Sequence, residues 1–158
     1  MYHRRVKPRL VDAAHAAFDR LGLRATIDDV AQEARVSRAT VYRHVRDRDE
    51  LVLAVFAREA DRLLERMAKA GATSLVDGIV FSVREVPKQP FLVEVMRNPP
   101  PGAWEVCVER AHGRLGDDPV MVEWVLRIVL SLLTIPVERS EGELRAFVER
   151  VLPTPVRR

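Results

Sequence analysis

Between Arg38 and His44 the side chains of Arg38, Ala39, Thr40, Tyr42, Arg43 and His44 point outward from a short helical stretch, giving a surface rich in hydrogen-bond donors and positive charge. Such side chains suit base edges and the phosphates beside them. A guanidinium bonds two acceptors of guanine, a methyl group touches the methyl of thymine, and further cations hold phosphate without reading sequence. The other reactive residue types are not arranged for catalysis. Cys107 and His112 are five positions apart, which turns them to different faces of a helix, and His3, His15 and His44 lie far from both in the chain. With no Gly-rich phosphate loop, nucleophile elbow or paired metal motif, the sequence predicts no enzyme, no cofactor and no metal site.

The donor surface needs elements to present it. Residues 26 to 45 read as two short helices joined by a tight turn, a helix-turn-helix, with Thr26 and Asp29 capping the first helix and Ser37 the second. Val30, Ala31 and Ala34 share a face of the first helix, Val36 and Val41 lock the second across it, and the small Ala31 suits a close crossing. Ahead of this pair, Pro8 opens a helix in which Leu10, Ala14, Ala17, Phe18 and Leu21 recur at helical spacing up to Gly22. Behind it, Asp47 with Glu50 resembles a capping box for a long helix from about Arg48 to Gly71, striped by Leu51, Val52, Val55, Phe56, Leu63, Leu64 and Met67.

Charge separates along the chain in the same way. Residues 1–46 hold ten Lys/Arg against five Asp/Glu, and residues 47–158 hold sixteen against eighteen, so the basic part is the helix-turn-helix part. Clustered cations bind phosphate by releasing its counterions. Arg4 and Arg5 are placed to reach a minor groove as an arm. The absence of an apolar leader and the single Cys107 predict a cytoplasmic protein. The apolar segment from Val120 to Val137 includes Glu123 and Arg127, which argues against a membrane span.

Beyond Thr73, proline-bearing breaks at residues 87–90 and 98–102 bound helices near 73–86, 91–97 and 103–115; strand signals are scarce, and the chain reads as all-α. A helix opened by Pro119 carries a narrow polar line of Glu123, Arg127, Ser131 and Thr134 and is apolar elsewhere, so it needs two covers. One is the core. A second copy of the chain is the other, meeting Trp124, Ile128 and Leu132 together with Leu144, Phe147, Val148 and Val151 of a final helix to form a four-helix dimer interface.

Residues 26–31, 35–45 and 48–51 together resemble the N-terminal DNA-binding domain of TetR-type transcriptional regulators. The resemblance implies a three-helix helix-turn-helix domain over residues 1–50, joined by a long helix to a helical effector-binding and dimerisation domain over residues 51–158. It further implies that Arg38, Ala39, Thr40 and Tyr42 lie nearest the bases. Thr26, Ser37, Arg43, His44 and Arg48 complete the DNA-binding set, largely as phosphate contacts. An apolar pocket for a small apolar effector is implied, with Phe81, Phe91, Met96, Trp104, Cys107, Met121 and Trp124 as candidate lining. The partners are a double-stranded DNA operator, near-palindromic, and a second copy, with repression as the family's habit. The alternative is a DNA-tethered protein-interaction module, or a regulator without a small-molecule effector. Two positions depart from the family pattern: Arg35 where glycine is frequent in the turn, and Arg48 where lysine is frequent.

Overall fold

Pro8 at the first turn and Gly22 at the exit bound α1 (Pro8–Leu21); Gly22 takes φ 67° and donates its N–H to the Phe18 carbonyl. In the computed structural model, which describes residues 7–116, 118–136 and 138–152, this helix is followed by a short 3-10 turn (Gly22–Arg24) and then α2 (Ile27–Ala34). Arg4 and Arg5 lie outside the described residues. The Thr26 hydroxyl accepts from Asp29 N–H at 3.2 Å, and the Asp29 carboxylate accepts from Thr26 N–H at 2.7 Å, a reciprocal capping box.

The turn after α2 is made by Arg35 in the left-handed region (φ 54°, ψ 48°), the one non-glycine residue with positive φ among those described. Its geometry lets Val36 N–H reach back to the Ala31 carbonyl at 3.0 Å. The next helix, α3 (Arg38–Tyr42), is shorter than its sequence pattern suggests, although Val45 N–H still bonds the Val41 carbonyl beyond its end. The long α4 (Arg48–Lys69) begins at Asp47, whose carboxylate accepts from Glu50 N–H at 2.9 Å. Glu50 does not close a box on Asp47; it reaches one residue further and accepts Arg46 N–H at 2.7 Å.

The remaining helices are α5 (Leu75–Glu85), α6 (Pro90–Arg97), α7 (Ala103–Leu115), α8 (Pro119–Thr134) and α9 (Glu141–Val151), with no strand among the described residues. The fold is all-α, and no described helix is long and apolar enough to cross a membrane. Ser74–Asp77 and Ser140–Glu143 cap α5 and α9 in the same reciprocal manner as Thr26–Asp29, and Arg145 of α9 donates to Asp77 at 2.7 Å.

One apolar core joins α1 to α4 with the distal helices. Ala14, Ala17, Val41, Leu51 and Val55 are sealed within it, and Phe91, Leu92 and Val95 of α6 and Ala103 and Val106 of α7 belong to the same body of side chains. A second, smaller cluster gathers Ile79 and Val80 of α5, Val125 of α8, and Leu144 and Val148 of α9. α4 therefore starts inside the helix-turn-helix and ends among the distal helices. Its 22 residues span about 33 Å at 1.5 Å per residue.

Candidate functional site

Val41 is fully buried beneath α3, and anchoring it there leaves Arg38, Ala39, Tyr42 and Arg43 exposed on the outer face, with Thr40 and His44 partly covered. Ser37 caps the helix by accepting Thr40 N–H at 3.2 Å, and the Ser37 and Thr40 hydroxyls meet at 2.9 Å. Arg43 donates to the Thr40 hydroxyl at 3.1 Å. Arg38 is held rather than loose: its guanidinium lies 3.3 Å from Asp28 of α2, 3.4 Å from the Tyr42 hydroxyl and 5.5 Å above the Tyr42 ring centre. These contacts aim the guanidinium along the outer face. They are exposed and weak, as surface contacts of this kind are.

Thr26 and Arg48 flank that surface, and both have structural work of their own. The hydrogen bonds from Thr26 hold the Asp29 carboxyl below its usual pKa. Arg48 donates from Nε to the Ala25 carbonyl at 2.7 Å and lies 5.8 Å over the Phe18 ring, so it fastens the start of α4 to the entry of α2.

A cavity of about 440 Å³ lies between α4, α5, α6, α7 and α8. Met96, Cys107 and Met121 line it. Phe81, Phe91, Trp104 and Trp124 do not. Phe91 is turned the other way, stacked on Phe18 at 5.6 Å between ring centres and edge-on to His15 at 6.5 Å. Trp104 lies under the Arg127 guanidinium at 5.4 Å. The wall is made instead by Phe56, Leu63 and Met67 of α4, Ile79 of α5, Leu92 of α6, and Val125 and Val129 of α8. Burial pushes the Cys107 thiol up to about 11, which keeps it neutral.

The helix α6 lies between this cavity and the helix-turn-helix. Leu92 and Met96 face the cavity, whereas Glu94 accepts Leu23 N–H at 2.9 Å and Phe91 packs on α1. A carboxylate buried nearby, Glu59 of α4, takes His15 Nε2 at 3.1 Å and Arg62 at 2.7 Å, tying α4 to α1. Neither Glu94 nor Glu59 stood out in the sequence. A glutamate on a helix looks alike whether it caps a distant turn or meets water.

On the opposite side, α8 and α9 leave apolar surface open. Only Val122 and Val125 of α8 are buried; Trp124, Ile128 and Leu132 are half-buried, and Val120 and Ile135 are exposed. On α9 the pattern needs correction. Leu144 and Val148 are 4% and 2% exposed because they pack inward on Ile79 and Val80, so they have no surface left for a partner. Phe147 and Val151 remain outward at 37% and 43%.

These features have counterparts among known proteins. The family model for bacterial regulatory proteins of the tetR family matches residues 10–55. An uncharacterised HTH-type transcriptional regulator of Mycobacterium tuberculosis, found in two strains, is 33% identical over 168 residues, spanning 92% of this chain and 83% of its own. The TetR family repressor AlkX from Dietzia sp. has the same fold, with a TM-score of 0.66 and 19% identity over 95% of each chain. The multidrug binding protein EbrR, solved as a complex with imidazole, gives a TM-score of 0.65 at 21% identity, over 99% of this chain and 96% of its own. The helix-turn-helix match and the relative aligned along nearly the whole length agree: the chain belongs to the TetR family of DNA-binding, helix-turn-helix transcriptional regulators.

Proposed function

We propose that the protein is a homodimeric repressor that leaves a near-palindromic operator when a small molecule enters the cavity. The observation that carries this reading is the two-sided α6, with Leu92 and Met96 on the cavity and Glu94 and Phe91 on the DNA-binding helices. An occupant that displaces Leu92 or Met96 shifts the helix whose other face holds Leu23 and Phe18. The start of α4, fastened through Arg48 to Ala25, moves with them. Affinity for DNA then follows the difference in ligand affinity between the two arrangements.

In this reading residues 1–50 act as the DNA-binding domain and residues 51–158 as the effector and dimer domain. Arg38 bonds guanine, Ala39 and the Thr40 methyl touch thymine, and Tyr42 packs on bases and backbone. Thr26, Ser37, Arg43, His44 and Arg48 hold phosphates and fix register. Trp124, Ile128, Leu132, Phe147 and Val151 meet the second copy, which sets the two α3 helices in successive major grooves about 34 Å apart or somewhat more. EbrR, of the same fold, is a multidrug binding protein, which favours a small-molecule effector here.

Selection and sequencing of DNA fragments retained by the purified protein tests binding, symmetry and spacing together. Recovery of paired, inverted half-sites is the expected result, with a mass of two chains by light scattering. A monomer with no preference for palindromic over random DNA would overturn the reading.

A further inference from the structure

We infer that the cavity takes an amphipathic anion, a carboxylate with an apolar tail, whose charged head meets Arg114 at the end of the cavity nearest the α4–α5 turn. The inference rests on the effector reading and narrows it to one chemical class.

Two cations line a largely apolar space. Arg110 and Arg114 are one turn apart on α7, and no aspartate or glutamate among the described residues lines the cavity. Their charges are answered differently. Arg110 is spoken for by the Asp61 carboxylate at 2.9 Å and the Ala57 carbonyl at 3.0 Å. Arg114 donates to the carbonyl of Ala72 at 2.6 Å, a neutral acceptor, and meets no carboxylate among the described residues. Guanidinium groups form their strongest hydrogen bonds with planar anions, and this one has donors to spare. Thr73 and Ser74 also line the cavity beside it.

The geometry then fixes a direction for the ligand. α7 runs alongside α4 with Gly102 near Leu53, Arg110 at Ala57 and Asp61, and Arg114 at Ala72. Arg114 therefore marks the distal end, and Phe56, Leu92 and Met96 the end nearest the DNA-binding helices. A head held by Arg114 sends its tail along Met67 and Leu63 toward α6. The neutral Cys107 thiol offers no competing charge on the way. A volume of about 440 Å³ lies within the range of small-molecule sites. The ligand is read by one charge and by tail length, and the tail presses on the helix that holds Glu94 against Leu23.

Calorimetric titration of the full-length protein with dodecanoate, dodecanol and dodecylamine, each below its aggregation limit, tests the class directly. Dodecanoate should bind about tenfold tighter than dodecanol, or better, and dodecylamine weakest. Arg114→Gln should erase the preference for dodecanoate while leaving dodecanol within about twofold, and Arg114→Lys should restore part of it. Dodecanol or dodecylamine binding as tightly as dodecanoate, or a preference that survives Arg114→Gln, would overturn the anionic class. If either neutral or cationic probe also releases the selected DNA, the effector reading stands without it. Failure of all three probes to bind would overturn the tailed anion, whereas the effector reading falls only if no small molecule releases the selected DNA.

Discussion

Around α1 to α4 the side chains of Ala14, Ala17, Val41, Leu51 and Val55 are fully enclosed by their own chain, whereas on α8, almost wholly apolar, only Val122 and Val125 are buried. The same chemistry of burial is finished in one region and unfinished in the other. The helix-turn-helix must present Arg38 and Tyr42 in a fixed frame, which a closed core and an anchored Val41 provide. The distal helices keep a cavity on one side and half-buried Trp124 and Ile128 with the more exposed Phe147 on the other.

Truncation separates the two regions most sharply. Leu51→Ala removes a sealed side chain where α4 enters the shared core and should cost about 2–5 kcal/mol in urea unfolding. Ile128→Ala, cut from a half-buried site on α8, should cost about 1 kcal/mol or less in the dilute monomer. Equal losses would mean that the distal helices are as tightly closed as the proximal ones. A charge probes the open face differently: Phe147→Glu should weaken self-association by about tenfold to a hundredfold in sedimentation while leaving the helical signal unchanged, because Phe147 lies outside the subunit's own core. An unaltered dimer would move the interface away from α9.

Within the closed region, the outer face and its rim should respond differently. Arg38→Ala should lose about 1–3 kcal/mol of discrimination at one base pair with little change in stability. Arg48→Ala should weaken all DNA sequences alike and flatten the salt dependence. It should also lower the melting temperature, since Arg48 bonds Ala25 and covers Phe18. A base-specific effect of Arg48→Ala, measured on variant operators, would contradict that division.

What the sequence made legible follows the same divide. Caps, the stop at Gly22 and the strained turn at Arg35 depend on neighbours within a few residues, so Thr26–Asp29 and Ser37 could be read directly. Helical periodicity also placed α4 to α9 well. It could not tell which apolar face of α9 turns inward: Leu144 and Val148 look no different from Phe147 and Val151 until Ile79 and Val80 are packed against them. Nor could it choose among aromatic residues for the cavity, where Phe91 was taken by Phe18 and the wall fell to Phe56 and aliphatic side chains. Glu59, Glu94 and Arg114 act through partners more than forty positions away in the chain, at distances no local pattern encodes.

Acid offers the mildest test of the difference, because one kind of cap recurs in both regions. Thr26–Asp29 sits on the closed core; Ser74–Asp77 and Ser140–Glu143 sit on the open one, where Asp77 also meets Arg145. The Ser74 hydroxyl and Arg145 together lower the Asp77 carboxyl from 3.8 to about 2. A carboxyl whose pKa is lower in the folded state contributes stability above 3.8 that is lost as the pH falls toward about 2. Asp29 and Glu143 shift in the same direction. Protonation loosens all three caps, but α5 and α9 have only the smaller cluster of Ile79, Val80, Val125, Leu144 and Val148 behind them. Trp104 and Trp124 both lie in the distal helices, so their emission should change before helicity falls as the pH is lowered across that window. In Asp77→Asn the fluorescence change should be smaller, because the charged form is already gone and the Arg145 tie with it. Coincident loss of emission and helicity would show that the caps on α5 and α9 are backed as firmly as the one on α2.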